Sequence, residues 1–236
     1  MRIFLVRHGQ TDPNLEGRYC GWTDAPLNAD GRAQALSLRP LVCRRTFEAV
    51  YASPLARAAE TAALLVGDLD APFGPDAPRS AVERARAAGI RFDDALKEHH
   101  FGRFDNMTRA EIAATDPAEF ERWRQDFMGY RFPGGESSLD LYDRVAAFGA
   151  GLAKRHAGDV LVVSHMGPTV ALMASMIGIP GRDMWRLRAG NATLCRIVVG
   201  DDGYAFLDML NARTGRPAGQ QDAWAAQAGR TEPSES

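Results

Sequence analysis

Short apolar runs alternate with amphipathic stretches along most of this chain. Residues 2–6 and 160–163 are rich in β-branched and other large apolar side chains, which is typical of buried strands, and residues 49–52 predict a third short strand. Between these runs, apolar side chains recur every three or four positions, as in helices that bury one face. Strands that alternate with helices predict an α/β fold, a three-layer sandwich with a mostly parallel central sheet and helices on both faces.

Capping residues and prolines mark where the helices begin. Asn28 is a suitable N-cap for a helix over residues 29–45, and Pro54 opens a second helix. Residues 108–129 predict one or two further helices with a break near Asp116-Pro117. In the first helix, the apolar side chains predicted to face inward are Ala33, Leu36, Leu41 and Val42.

These elements indicate one domain over residues 1–215, with residues 99–135 inserted as a helical lid. Near its end, the chain predicts a hairpin that turns at Asp201-Asp202-Gly203. The segment 67–91 predicts a surface loop with a short helix, and residues 216–236 have the composition of a disordered tail.

Composition argues against several classes of function. The formal net charge of -2 gives no global attraction to nucleic acid or to an anionic membrane, and 45% hydrophobic residues suit a soluble domain with a full core. The three cysteines, Cys20, Cys43 and Cys195, are not spaced as metal ligands and predict reduced thiols. Because the sequence has neither a candidate membrane span nor a signal-peptide layout, it predicts a cytoplasmic protein.

Two histidines directly follow predicted strands. His8 stands in Arg7-His8-Gly9 after the first strand, and His165 stands in Ser164-His165-Met166-Gly167 after a later one. Because ligands of parallel sheets bind beyond the carboxyl ends of the strands, we expect both histidines at one site. The helix that Pro54 opens carries Arg57 close to the end of the strand at 49–52.

These residue types fit phosphoryl transfer. Arginine forms paired hydrogen bonds to phosphate oxygens, and Arg7 and Arg57 are the candidates for that role. A neutral imidazole nitrogen can attack phosphorus, and Gly9 beside His8 leaves room for close approach. His165, if protonated, would donate to the transferring oxygens. Metal binding is the alternative for both histidines, but no further ligand spacing accompanies either of them.

A carboxyl group is also needed to protonate the leaving oxygen and later to activate water. Glu98, in Leu96-Lys97-Glu98-His99-His100, is the preferred candidate, and Asp105 is the alternative. His99 and His100 adjoin Glu98, so they either line the pocket or have a structural role.

Several motifs follow one another in a fixed order. They are Arg7-His8-Gly9-Gln10-Thr11 with Asn14, Gly21-Trp22-Thr23-Asp24-Ala25-Pro26-Leu27, Gly31-Arg32-Ala33-Gln34-Ala35, residues 53–62, 98–102 and 133–137, and Ser164-His165-Met166-Gly167. With this set, the chain resembles the histidine phosphatase superfamily, also called the phosphoglycerate mutase-like family, over roughly residues 1–211.

The resemblance implies a covalent phosphohistidine on His8, with Glu98 as the proton donor and with neither a metal nor another cofactor. It implies a phosphate pocket of Arg7, His8, Asn14, Arg57 and His165. The residues expected to act in catalysis are His8, Glu98, His165, Arg7 and Arg57. The residues expected to bind substrate are Arg7, His8, Asn14, Thr23, Arg57, Glu98, His165 and Met166.

Within the superfamily, the chain looks most like the small phosphatases, among them the alpha-ribazole phosphatases. The interval from Glu98 to His165 is shorter than in the cofactor-dependent mutases. Phe104 and Asp105-Asn106 stand where many small phosphatases have Trp and Glu-Gly, and segment 67–91 is unusually long. These departures affect the prediction of which substrate is bound more than the prediction of how its phosphoryl group is transferred.

The expected function is metal-independent hydrolysis of a small phosphomonoester, with alpha-ribazole 5'-phosphate as one candidate substrate. A cofactor-dependent phosphoglycerate mutase is one alternative, and a non-catalytic module that binds a phosphorylated ligand is another. The presence of both histidines and both arginines argues against the non-catalytic module. The expected partner is the small phosphorylated substrate, with no nucleic acid and no membrane, and a homodimer is left open.

Overall fold

The apolar runs form a sheet and the amphipathic stretches form helices on both of its faces, as predicted. The computed structural model describes residues 1–67 and 77–214. Its strands are Arg2–Arg7 (β1), Arg18–Tyr19 (β2), Ala49–Ala52 (β3), Arg91–Phe92 (β4), Met107–Thr108 (β5), Val160–Ser164 (β6), Leu194–Val199 (β7) and Ala205–Ala212 (β8). Its α-helices are Asp12–Leu15 (α1), Ala29–Val42 (α2), Ala56–Val66 (α3), Ala77–Ala87 (α4), Arg109–Thr115 (α5), Pro117–Gln125 (α6), Ser138–Arg155 (α7) and Met166–Met176 (α8). Short 3₁₀ helices span Asp94–Leu96, Gly102–Phe104 and Gly181–Arg186.

The main sheet is parallel in one part and antiparallel at one edge. Its strand order is β4-β3-β6-β1-β7-β8. The neighbours from β4 to β1 are parallel, whereas β7 runs antiparallel to both β1 and β8. The strands β7 and β8 form the predicted hairpin around Asp201-Asp202-Gly203. The mostly parallel three-layer sandwich is therefore confirmed.

The core lies on both faces of this sheet because alternate side chains of a strand point to opposite faces. Ile3 and Leu5 of β1 pack in a cluster with α7 and α8, whereas Phe4 and Val6 pack in a cluster with α2, α3 and α4. Within the described part of the chain, every helix is too short or too polar to cross a membrane.

Helix α2 begins where predicted but buries a different set of side chains. The Asn28 side chain caps it by accepting a hydrogen bond from the Gly31 N–H (2.8 Å), and the helix ends at Val42 rather than near residue 45. Ala33 and Leu36 face solvent instead of the core. A Cβ atom at Gly31 would lie 2.1 Å from the Gln10 carbonyl oxygen, so the backbone of the loop after β1 packs against this face of the helix. The buried side of α2 is formed by Gly31, Ala35, Leu38 and Val42.

The chain between β4 and α7, predicted from the sequence as the lid, has a small aromatic core of its own. The predicted break is present, since α5 ends at Thr115 and α6 begins at Pro117. The two-stranded pair of β2 with β5 joins the lid to the loop that follows β1. The predicted tail, residues 216–236, lies outside the described residues, as do residues 68–76 of the long loop. The buried side chains of the lid core are Phe101, Phe104, Ile112, Trp123, Tyr130 and Phe132.

Candidate active site

Three adjacent parallel strands end at one edge of the sheet and bring the predicted site together. Ser53 follows β3, His165 follows β6 and His8 follows β1. The backbone pairing continues past the strands, because the His8 N–H donates to the Ser164 carbonyl (2.9 Å). The imidazole rings of His8 and His165 are both buried, and their centroids lie 5.0 Å apart. The expectation that both histidines meet at the carboxyl ends of the strands is confirmed.

The His8 ring is fixed in one tautomer. Its Nδ1 atom lies 2.6 Å from the Gly9 carbonyl oxygen. Since a carbonyl oxygen accepts but cannot donate, Nδ1 carries the proton, and in the neutral ring Nε2 has the free lone pair. Burial, followed by the positive charges of Arg57 and Arg7, holds the pKa of His8 well below its ordinary value. His8 is therefore neutral at physiological pH.

His165 is held on both ring nitrogens. The Arg57 Nε–H donates to Nδ1 (3.1 Å), so the proton of the neutral ring is on Nε2, which donates to the Ser53 hydroxyl oxygen (2.8 Å). Burial, followed by the charge of Arg57, keeps the pKa of His165 well below its ordinary value. The protonated form considered from the sequence is therefore not the form present here.

Arg57 is almost completely buried, and most of its N–H groups donate to other groups of the protein. Besides His165, its guanidinium donates to the carbonyl oxygens of Cys20 (3.3 Å), Gly21 (2.6 Å) and Thr23 (2.9 Å). Within the described residues, these contacts use four of the five N–H groups of a guanidinium. Arg57 can therefore offer at most one N–H, on Nη1, to a phosphate oxygen, instead of the paired hydrogen bonds expected from the sequence.

Arg7 and Asn14 lie on the side of the site next to the loop before β7. The Arg7 Nη1 group donates to the Ala189 carbonyl oxygen (2.8 Å). The Asn14 Oδ1 atom accepts from the Thr11 N–H (3.2 Å) and from Asn191 Nδ2 (3.0 Å). Because its oxygen is engaged in this way, Nδ2 is the group of the Asn14 amide that is left to donate to a ligand.

Glu98 reaches the site from the segment that leads into the lid. Its Oε1 atom accepts from the His99 N–H (2.9 Å) and from the Gly167 N–H (3.1 Å) near the start of α8. A Cβ atom at residue 167 would lie 2.5 Å from this oxygen, so glycine is required there for close approach. Burial raises the pKa of Glu98 and outweighs the two backbone donors and the charges of Arg57 and Arg7.

The remaining predicted residues have different positions. Asp105 accepts from the N–H groups of Gly21 (2.6 Å) and Thr23 (2.8 Å), so both of its oxygens hold the loop around Trp22. Thr23 is exposed and is held through its main chain. Met166 is the first residue of α8, and its side chain packs against the core next to His165.

Two residues in this site were not predicted from the sequence. Ser53 fixes the orientation of His165, and Asn191 donates through Nδ2 to the carbonyl oxygens of His8 (3.3 Å) and Gly9 (3.5 Å). The Gly190-Asn191 pair before β7 indicates a turn, but its closeness to His8 follows only from the pairing of β7 with β1.

A metal-binding cluster is not found in residues 1–67 and 77–214. There, no three His, Cys, Asp or Glu side chains are grouped as ligands for an ion. The positive charge of the site belongs to Arg7 and Arg57.

Comparison with known proteins agrees with this geometry. The family model described as histidine phosphatase superfamily (branch 1) matches residues 3–78 and 79–212. The adenosylcobalamin/alpha-ribazole phosphatase of Escherichia coli strain K12 is 30% identical over 214 residues, which are 90% of this chain and 97% of that protein. The 2,3-bisphosphoglycerate-dependent phosphoglycerate mutase 2 of Gloeobacter violaceus is 35% identical over 177 residues, 71% of each chain.

Solved structures show the same fold. The crystal structure of the alpha-ribazole phosphatase from Shigella flexneri superimposes with a TM-score of 0.77 at 30% identity, covering 92% of this chain and 100% of that chain. The family match, the relatives and the paired histidines at the sheet edge lead to one conclusion. The chain belongs to the histidine phosphatase superfamily and is a phosphatase.

Proposed function

We propose that this phosphatase hydrolyses a small phosphomonoester through a phosphohistidine on His8, without a metal. The observation that carries the proposal is the hydrogen bond from His8 Nδ1 to the Gly9 carbonyl (2.6 Å). It leaves the lone pair on Nε2 of a neutral ring, which is the form that can attack phosphorus.

In the first step, His8 Nε2 forms a bond to phosphorus while the bond from phosphorus to the leaving oxygen breaks. The Arg7 and Arg57 charges and the Asn14 Nδ2 donor stabilise the phosphoryl oxygens. The leaving oxygen takes its proton from Glu98. Because Glu98 Oε1 accepts two backbone N–H groups, the proton of the neutral carboxyl group is on Oε2.

In the second step, the Glu98 carboxylate takes a proton from water as the water oxygen attacks phosphorus. The N–P bond breaks, inorganic phosphate leaves, and His8 returns to its neutral form. One carboxyl group thus acts first as acid and then as base, which suits a group whose pKa is raised toward neutrality.

We propose alpha-ribazole 5'-phosphate as the first substrate to test, because two relatives that cover 90% and 92% of this chain carry that activity in their names. Phosphoglycerate mutase is the second candidate, favoured by the mutase relative. The purified protein should be assayed for phosphate release from alpha-ribazole 5'-phosphate, phosphoserine and 3-phosphoglycerate. Interconversion of phosphoglycerate isomers in the presence of 2,3-bisphosphoglycerate, without net phosphate release, would replace the hydrolase assignment by the mutase.

The pH dependence of kcat/KM is expected to be bell-shaped. His8 must be neutral to attack, and its lowered pKa places the acidic limb below the ordinary imidazole range near pH 6.5. Glu98 must be protonated, and its raised pKa places the alkaline limb above the ordinary carboxyl range. The profile should be measured with correction for the second ionisation of the phosphomonoester, near pH ~6. An acidic limb at or above pH ~6.5 after that correction would contradict a neutral, desolvated His8.

Chelation is expected to leave the rate unchanged, because arginine side chains rather than an ion supply the positive charge. The protein should be dialysed against EDTA and assayed in metal-depleted buffer. A large loss of activity that Mg²⁺ or Zn²⁺ restores would refute this part of the proposal.

A further inference from the structure

A mostly buried ion pair contacts the main chain on both sides of Glu98. Arg144 of α7 donates through Nε and Nη2 to the two carboxylate oxygens of Glu136 (2.9 Å and 2.6 Å). The two side chains are 22% and 13% exposed. A two-point pair of this kind fixes both groups in one orientation.

Arg144 also holds the chain on the amino-terminal side of Glu98. Its Nη1 group donates to the Ala95 carbonyl oxygen (2.7 Å), and Nη2 donates to the carbonyl oxygen of Glu98 itself (3.1 Å). A single guanidinium therefore spans the 3₁₀ turn Asp94–Leu96 and the residue that carries the candidate acid.

Glu136 holds the chain on the other side of Glu98. Its Oε1 atom accepts from the His100 N–H (3.0 Å), and its own N–H donates to the His100 carbonyl oxygen (3.0 Å). The Glu136 carbonyl oxygen accepts from His99 Nε2 (3.1 Å), and burial lowers the pKa of His99 to about 4, so that ring is neutral. The contacts of both ion-pair partners thus converge on residues 95–100.

We propose that Arg144 and Glu136 are positioning residues for the proton transfer by Glu98. This inference rests on the proposed function. The pair fixes the main chain on both sides of Glu98, so that Oε1 meets the Gly167 N–H and Oε2 faces the leaving oxygen. Misplacement of a catalytic group by about 1 Å can cost 10²-fold in rate. The fall in rate should therefore be largest for substrates whose leaving oxygen must be protonated as it departs.

The test compares Arg144→Lys and Glu136→Gln with a matched control. Arg196 makes a two-point pair with Asp208 in the β7–β8 hairpin (2.9 Å and 2.6 Å), with side chains 20% and 24% exposed. Arg196→Lys therefore disrupts an ion pair of the same geometry and similar burial that does not contact the site. Each variant is assayed on substituted phenyl phosphates, from p-nitrophenyl phosphate to phenyl phosphate, and on an alkyl phosphomonoester.

In Arg144→Lys and Glu136→Gln, we expect kcat/KM for the alkyl ester to fall about 10- to 100-fold, with less than about threefold loss of kcat/KM for p-nitrophenyl phosphate. The comparison uses kcat/KM because the second step, in which Glu98 acts as base, is the same for all substrates and contributes only to kcat. The dependence of kcat/KM on leaving-group pKa should steepen. Arg196→Lys should lower Tm without changing that dependence. In a Glu98→Gln background, Arg144→Lys should lower the rate for the alkyl ester little further, since both changes impair the same proton transfer.

An equal fall of kcat/KM for all substrates, or an unchanged dependence of kcat/KM on leaving-group pKa, would overturn the inference. If Arg144→Lys does not fold, Glu136→Gln decides, because it keeps the size and shape of the side chain. Failure of the proposed function is recognised separately, since the wild-type protein would then form no phosphohistidine.

Discussion

Replacement of His8 by alanine is expected to lower turnover by at least about 10⁴-fold, or about 5.5 kcal/mol of transition-state stabilisation at 1.36 kcal/mol per tenfold. The change removes Nε2, the atom that is proposed to bond phosphorus, while Arg7, Arg57 and Asn14 still bind the phosphoryl group. The loss should therefore fall on kcat rather than on KM. Phosphate release from p-nitrophenyl phosphate at saturating substrate measures it.

His156→Ala is the control for this variant. His156 ends helix α7 before the start of β6, at the opposite edge of the sheet, where it hydrogen-bonds Glu48 (2.8 Å) and Tyr51 (3.0 Å). Its loss should change stability but leave kcat within about twofold, since surface and structural changes away from the site do not touch the transition state. A His8→Ala protein that keeps a tenth of wild-type kcat would show that His8 is not the nucleophile.

Glu98→Gln should lower kcat/KM for an alkyl phosphomonoester by about 10²- to 10³-fold, which is the usual contribution of a general acid. The amide keeps the size of the side chain and an oxygen that can accept from the His99 and Gly167 N–H groups, but it has no acidic proton to give. The nitrophenolate of p-nitrophenyl phosphate needs little protonation, so kcat/KM for that substrate should fall by less than about tenfold. The loss of the base in the second step lowers kcat for both substrates alike. Rates for both substrates should be compared in the same preparation.

Asp105→Asn provides the comparison for Glu98→Gln. Both Asp105 oxygens accept from main-chain N–H groups of the loop around Trp22, so replacing one oxygen by an amide nitrogen loosens that loop. We expect similar slowing of both substrates, together with a higher KM. If Asp105→Asn slowed the alkyl ester selectively and Glu98→Gln did not, the acid role would belong to Asp105.

The architecture was predictable because local pattern and topology agree. The apolar runs at β1, β3 and β6 are short and continuous, as buried parallel strands are, and Asn28 marked the start of α2 by local chemistry. Helix α3 begins at Ala56, two residues after Pro54, which was predicted to open it. Helical periodicity did not predict correctly which side chains of α2 face the core. Leu36 looked like a core residue, but the contact between Gly31 and the Gln10 backbone turns it to solvent. Such a contact depends on tertiary packing, which the sequence pattern does not contain.

The sequence predicted most of the residues that form the site. It predicted their protonation states and hydrogen-bond partners less well. Strand ends placed His8 beside His165, but the neutral state of His165 follows from its burial and from Arg57 and Ser53, which hold its two ring nitrogens. The three hydrogen bonds from Arg57 to loop carbonyls could not be predicted, because every residue type has a backbone carbonyl oxygen. The same holds for Asn191 and for the contacts of Arg144 and Glu136 with main-chain groups around Glu98.

The central claim is that His8 carries the phosphoryl group during turnover. The direct measurement is rapid-quench labelling with a ³²P-phosphomonoester, followed by peptide mapping of the trapped protein under alkaline conditions. We expect an acid-labile, alkali-stable phosphoramidate on His8 that forms and decays at rates compatible with kcat and is absent from His8→Ala. Label on a serine, aspartate or cysteine, or full turnover with no label on His8, would contradict it.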